Sequence, residues 1–203
     1  EPGTELRDLL GSAMESTLQA ADLGGKLLTL SQSWSIDREA RPIQPTLLSA
    51  LTAALAGSHV DLKLDLSPAL PEIPHDAELL GHAFGQLATN AREAMADTGT
   101  LSVTGEVRSP SEGERLETDD GRFLRLTLRD SGHGIAPEIL PRIFDPYFST
   151  KQRGTVRGMG LGLALCAAIV RKHGGVVRAS SAPGQGAVLT VLLPLAASPD
   201  RPR

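Results

Sequence analysis

The chain has 203 residues, 24 acidic against 20 basic, a formal net charge of −4 and one cysteine. A chain of this length makes one sizeable domain, or one domain plus an appendage, and buries roughly 70% of its unfolded surface without covalent staples. Lone Cys166 excludes a disulfide framework or a multi-cysteine metal site and agrees with a reducing compartment. The acidic balance argues against a nucleic-acid binder, and no apolar run approaches the ~20 residues of a membrane span.

The opening, EPGTELRDLL, is polar, with neither an initiator Met nor a signal peptide, so the chain reads as a fragment of something longer. Residues 4–31 read as one helix. Leu6, Leu10, Ala13, Thr17, Ala20, Gly24 and Leu27 step by four and three, the spacing of a seam that packs on other helices. A lone helix of that length is marginal in water, so it needs partners; a bundle with another chain is favoured over packing on its own domain. SQSWSIDREARPI, residues 32–44, loses the pattern and reads as a linker.

Helices and strands then alternate. QPTLLSALTAALAGS reads as a helix ending at Gly57. HVDLKLDLS reads as a strand with Val60, Leu62, Leu64 and Leu66 on one face. Proline-rich SPALPEIP breaks the chain, and a long helix runs from Asp76 to Ala96. Leu101, Val103 and Val107 mark a strand, followed by an acidic surface loop and the strand FLRLTLRD. Residues 145–160 show no periodicity. LGLALCAAIVRKHGG is a helix stopped by a glycine pair, and GVVRASS and AVLTVLLP close the chain as a hairpin around Pro183–Gly186. The tail from Ala196 reads as frayed. Three helices and about five strands after the linker, with few aromatics (3%), predict an α+β fold whose core is filled by Leu, Val, Ile and Ala. The sheet is mixed, with the helices on one face.

Four stretches could carry chemistry. On helix 76–96, Gln86, Asn90 and Glu93 line up beside the apolar stripe Leu80, Phe84, Leu87, Ala91 and Met95. An Asn oxygen there can bind a hard divalent ion and leave sites for phosphate oxygens and water, although the helix taken alone reads rather as an ordinary wet face. In FLRLTLRD, Asp130 shares the face of Leu124, Leu126 and Leu128, where a carboxylate is expensive unless something satisfies it. With Ser131-Gly132-His133-Gly134-Ile135 behind it, it suits the exocyclic amine of a purine, or simply ends the strand in an Asx turn. Gly158-Met-Gly160-Leu161-Gly162-Leu163 opens a helix, where freed backbone N–H groups favour an anion. It is neither the dinucleotide fingerprint nor a P-loop. Lys151, Arg153 and Arg157 upstream, with Gly154, could form a lid over phosphates or a solvated loop. Among the histidines, His173 lies at a helix end where a cation is favoured, and His75 precedes Asp76, which reads as a helix N-cap rather than the partner of a phosphoacceptor. Cys166 reads as a small buried hydrophobe.

In this order the stretches resemble the ATP-binding catalytic domain of bacterial sensor histidine kinases, of the gyrase, chaperone, kinase and mismatch-repair superfamily. The resemblance runs from about Gln44 to Leu195. Gln86-Leu-Ala-Thr-Asn90-Ala-Arg-Glu-Ala-Met95 resembles the N box, and Asp130-Ser-Gly132-His-Gly134-Ile135 the first glycine box. Phe144-Asp-Pro-Tyr-Phe-Ser-Thr150-Lys151 resembles the F box, Gly158 to Leu163 the second glycine box, and Gly184-Gln-Gly186 the last. NAREAM and FDPYFSTK look most like the nitrogen-regulatory type.

The resemblance implies a two-layer α/β sandwich of the Bergerat type, preceded by a long N-terminal helix. It implies Asn90 as the Mg²⁺ ligand with Glu93 in support through water, and Asp130 as the adenine reader. It places Gly132, Gly134, Ile135, Phe144, Thr150, Lys151, Gly158, Gly160, Leu161, Gly162, Leu163 and Gly186 around ATP. Residues 1–34 resemble the second helix of a dimerisation hairpin, 35–44 a linker, 45–197 the catalytic domain, and 198–203 a disordered tail. The implied partners are ATP or ADP, a response-regulator receiver domain and, in the full protein, a second copy through the N-terminal helix. A cytoplasmic domain with no nucleic-acid or membrane contact of its own is expected. Three departures stand out. Gln86 occupies a position where kinases usually carry Asn and hydrolytic relatives a catalytic Glu, and an amide cannot act as a general base. Ala187 follows Gly186 where Thr is usual. No phosphoacceptor histidine lies on a plausible dimerisation helix, so it is expected upstream of Glu1, leaving this chain unable to phosphorylate itself. A nucleotide-controlled switch without transfer, or a protein-serine kinase, are the rival readings.

Overall fold

The computed structural model describes residues 36–68, 70–109, 122–150 and 160–195. The expected N-terminal helix, the acidic loop, the basic segment with Lys151 and Gly158, and the frayed tail all lie outside the described residues. The remaining chain forms β1 (Glu39–Arg41), α1 (Ile43–Leu55), β2 (His59–Leu66), β3 (Ile73–His75) and α2 (Ala77–Ala94). It continues with β4 (Thr98–Arg108), β5 (Phe123–Asp130), a 3₁₀ turn at Leu140–Arg142, α3 (Gly162–Lys172), β6 (Val176–Ser181) and β7 (Ala187–Pro194).

The main sheet runs β2-β4-β5-β7-β6, with β2 and β4 parallel and every other pair antiparallel, so the expected mixed five-stranded sheet is present. Register sets its two faces. Leu101 pairs with Asp130, Val103 with Leu128, and Leu126 with Val191, so one face carries a continuous apolar row. That row packs with Ile43, Leu47 and Leu51 of α1, Leu80, Phe84 and Leu87 of α2, and Cys166, Ile169 and Val170 of α3 in one core. Burial pushes the Cys166 thiol up to about 12, as an inert core residue requires. Leu64 lies on the inward face, as its period predicts, yet is 40% exposed, because β2 is the edge strand.

Asp76 caps α2: its carboxylate accepts from the Leu79 amide at 3.1 Å. One region departs from the sequence reading. The segment read as a linker forms β1, which pairs antiparallel with β3 inside the proline-rich break, Ala40 standing opposite Pro74. His173 also departs from the expectation of a favoured cation. It is 2% exposed, its Nδ1 donates to the Ile169 carbonyl at 2.8 Å, and its Nε2 accepts from the Asp76 amide at 3.1 Å. Burial, the largest influence, lowers its pKa and that of fully buried His75. Desolvation thus outweighs the attraction of the helix C-terminus.

A cleft between two glycine turns and the long helix

The middle of α2 faces the first residue of α3. A Cβ on Gly162 would sit 2.3 Å from Gln86 Oε1 and 3.9 Å from Asn90 Nδ2, so any side chain there would push the Gln86 amide out of its present place beside α3. Asn90 Nδ2 is buried and has no hydrogen-bond partner among the described residues. An orphaned buried amide is costly and calls for a ligand. Glu93 lies half-buried one turn on. Gln86, Asn90 and the N-terminus of α3 are therefore brought together.

The C-terminal end of α2 holds the first glycine turn. The His133 amide donates to the Ala94 carbonyl at 3.1 Å, and a Cβ on Gly132 would lie 2.6 Å from that oxygen. Asp130, 6% exposed, ends β5 on the inward face. Its Oδ1 accepts from the Gly132 amide at 2.8 Å and from the Ala187 amide at 3.2 Å. These two bonds offset the desolvation that the sequence flags as expensive. Ala187, which lacks the hydroxyl usual at its position, contributes through its backbone instead. Gly186 has φ +71° and is so close to Asp130 that a Cβ would fall 2.0 Å from the Asp130 carbonyl oxygen.

A serine that sequence reasoning missed ties the two turns together. Ser181 Oγ accepts from the Ile135 amide at 2.8 Å and donates to the Gly186 carbonyl at 2.7 Å. The Gly184 amide donates to the His133 carbonyl at 2.8 Å, and Gly134, at φ +74°, lies against Ala182. Ser181 and Ala182 sit in ASSAPG, which carries no signal beyond an ordinary strand end.

On the other side, Gly160, at φ +67°, lies against Phe148, a Cβ there falling 2.4 Å from the Phe148 carbonyl oxygen. Phe144 and Phe148 pack half-buried on the core, and Arg142 stacks over the Phe148 ring at 4.7 Å. Tyr147 holds φ +64° while 69% exposed, an unusual backbone for a bulky residue. Leu161 is buried, Leu163 packs on the core, and Thr150 is exposed at the end of the described stretch. Lys151 and Gly158 fall outside it. Among the described residues no group of three or more His, Cys, Asp or Glu could hold a metal. The orphaned Asn90 Nδ2 is a donor that suits an acceptor oxygen, and the Oδ1 of the same side chain is the atom that could ligate a cation.

Residues 75–197 match the family model "Histidine kinase-, DNA gyrase B-, and HSP90-like ATPase", well over half the chain. The chain belongs to that family. Within it, the chain is an ATP-binding catalytic domain of the sensor histidine kinase type. The sensor histidine kinase ZraS of Klebsiella oxytoca is 38% identical over 148 residues, 73% of this chain and 29% of its own. The sensory histidine kinase/phosphatase NtrB of Rhodobacter capsulatus is 35% identical over 144 residues, 69% of this chain and 38% of its own. Full-length ShkA, solved in complex with AMPPNP, shares the fold with TM-score 0.72 at 22% identity, covering 95% of this chain and 39% of its own. The chain thus spans about a third of the length of the curated relatives it matches. Among the described residues no helix is long and apolar enough to cross a membrane.

Proposed function

We propose that this catalytic domain binds Mg-ATP in the cleft bounded by Asn90, Gly162 and Asp130 and delivers the γ-phosphoryl group to a histidine supplied by another part of the parent protein. From there the group passes to an aspartate of a response-regulator receiver domain. The observation that carries the reading is the buried, unpartnered Asn90 amide at the glycine N-terminus of α3. The orphaned Nδ2 donor with helix N–H groups beside it fits phosphate oxygens, and the Oδ1 of the same side chain is the atom that would hold the accompanying cation. The absence of a carboxylate cage among the described residues fits Mg²⁺, which takes few protein ligands and keeps phosphate oxygens and water. When bound, the ion neutralises charge on the phosphate oxygens.

The residues of this chain bind and orient. Asp130, with Oδ1 fixed by two amides, offers a carboxylate that accepts from the exocyclic amine of adenine and repels the carbonyl of guanine. The α3 N-terminus offers its N–H groups to the phosphates, and the family resemblance of Phe144 to Lys151 assigns Lys151 to the same ligand. Gln86 offers an amide where hydrolytic relatives carry a base, so the domain does not activate water, and the phosphoryl group is kept for the histidine. In the parent protein two copies associate through residues 1–34, and Glu93 supports the metal through water. The AMPPNP bound to ShkA and the kinase names of ZraS and NtrB support this reading.

Calorimetric titration with an ATP analogue tests it. Asp130→Ala should weaken binding about tenfold to a hundredfold, the worth of a buried charge-assisted hydrogen bond, and should erase the preference for adenine over guanine nucleotides. Unchanged affinity and selectivity would remove Asp130 from the site.

A further inference from the structure

The strand that carries Asp130 has a second side. Thr100, Ser102 and Arg129 alternate with the core-facing Leu101, Val103, Leu128 and Asp130, so they lie on the sheet face away from the helices. There, with Asp130, Ser131, Gly184 and Gln185, they line an open depression of about 250 Å³. The β6–β7 turn walls one end of it and the end of β5 forms its floor. Arg129 is exposed and, among the described residues, its guanidinium meets no carboxylate. Ser102 opposes Arg129 across the ladder, with Lys63 of β2 next in the same row.

We propose that this depression is a phosphate-binding site, separate from the Asn90 cleft, in which Arg129 neutralises the anion while the Thr100 and Ser102 hydroxyls donate to its oxygens. The neighbouring charges allow it. Lys63 adds a second cation, and Asp61, the carboxylate opposite Thr100, is paired with Lys63 at 3.7 Å. Asp130 borders the depression at the end of β5, but its side chain lies on the core-facing side, with Oδ1 engaged by the Gly132 and Ala187 amides. Ser131 Oγ accepts from the Thr100 amide at 3.0 Å and fixes the rim. A guanidinium on β5 facing two hydroxyls of β4 matches a tetrahedral oxyanion better than a planar carboxylate, since a guanidinium bonds two oxygens and leaves others for the hydroxyls. The volume admits free phosphate or the phosphate end of a small phosphomonoester.

The test uses the whole chain and backbone amide resonances. Inorganic phosphate, glycerol phosphate and acetate are titrated in turn at constant ionic strength. The amides of Thr100, Ser102, Ser131 and Gln185 should shift saturably with a phosphate but not with acetate. Arg129→Gln, a surface change, should weaken that response at least about tenfold. The same variant should leave any phosphate response at Asn90 and Gly162 intact, which separates this site from the nucleotide cleft. If glycerol phosphate binds more tightly, the natural ligand is an ester; if inorganic phosphate does, it is the free ion. No saturation by about 50 mM phosphate, an equal response to acetate, or indifference to Arg129→Gln would overturn the proposal.

Discussion

At the scale of single residues, the site joins one group that is costly until a ligand arrives to one that is already satisfied. Asn90 Nδ2 is buried without a partner, while Asp130 is buried with two amide donors on one oxygen. The first favours an occupant; the second is already stable and can select one. Asn90→Ala should therefore leave the fold intact and reduce the Mg²⁺ dependence of nucleotide affinity, measured by titrating with and without the ion. An unaltered dependence would place the metal elsewhere. Much of this scale was legible in the sequence. The carboxylate on the period-two apolar face of FLRLTLRD points to a purine acceptor or to an Asx turn, and the Oδ1–Gly132 bond shows the turn; the Asn on the margin of the α2 stripe gains meaning only from the motifs around it. Ser181 was not legible, because its bonds to Ile135 and Gly186 arise from two segments that meet only when β6 and the first glycine turn fold together. The positive φ of Tyr147 was equally hidden, since no local residue pattern demands it.

At the scale of elements, periodicity revealed what was long enough to repeat. The eight residues of β5 and the eighteen of α2 carry several periods of a clear pattern. The strands β1 and β3 have three residues each, and β3 contains Pro74, so neither could be told from loop. Their pairing anchors the start of the domain beside a buried histidine joint. His75 Nδ1 donates to the Ile73 carbonyl at 2.9 Å and its Nε2 faces the Thr46 hydroxyl at 3.2 Å. His173 Nε2 accepts from the backbone amide of the α2 cap residue, Asp76. Protonation would turn that acceptor into a donor facing a donor. Arg38 and Arg41 on the linker side oppose the charge, and the Asp76 carboxylate only partly favours it. Both folded-state pKa values lie below the ordinary 6.5, so the unfolded chain takes up protons first as pH falls. Stability should be full above pH 6.5 and decline below it. Denaturant midpoints at a series of pH values should show this fall, and His173→Gln, which cannot be protonated, should flatten it. A wild-type midpoint that held steady below pH 6.5 would contradict neutral, buried imidazoles.

At the scale of the whole molecule, the sheet order β2-β4-β5-β7-β6 puts the strand with Asp130 in the centre, and the helix layer lies over one face only. The central strand is the most rigid place for a reader of the base, and the open margin between α2 and α3 is where a triphosphate could extend. The motif order along the chain disclosed this plan because the glycine boxes sit at element ends: Asp130 at the end of β5, Gly162 at the start of α3, Gly186 before β7. The acidic overall charge, −4, makes a purine triphosphate dependent on local donors rather than on a general positive field. A domain that positions ATP but lacks its acceptor should bind nucleotide and stay unlabelled. Incubated with γ-labelled ATP, the chain should carry no phosphohistidine on any of its five histidines, and a separately supplied dimerisation hairpin bearing the acceptor should become labelled. Robust labelling of this chain alone would place the acceptor within it.

The most direct measurement is a crystal structure of the chain soaked with Mg²⁺ and a nonhydrolysable ATP analogue. The base should lie within hydrogen-bonding distance of Asp130, with the phosphates beside Asn90 and the Gly160–Gly162 backbone. Density for the analogue at another place, or none at saturating concentration, would contradict the account.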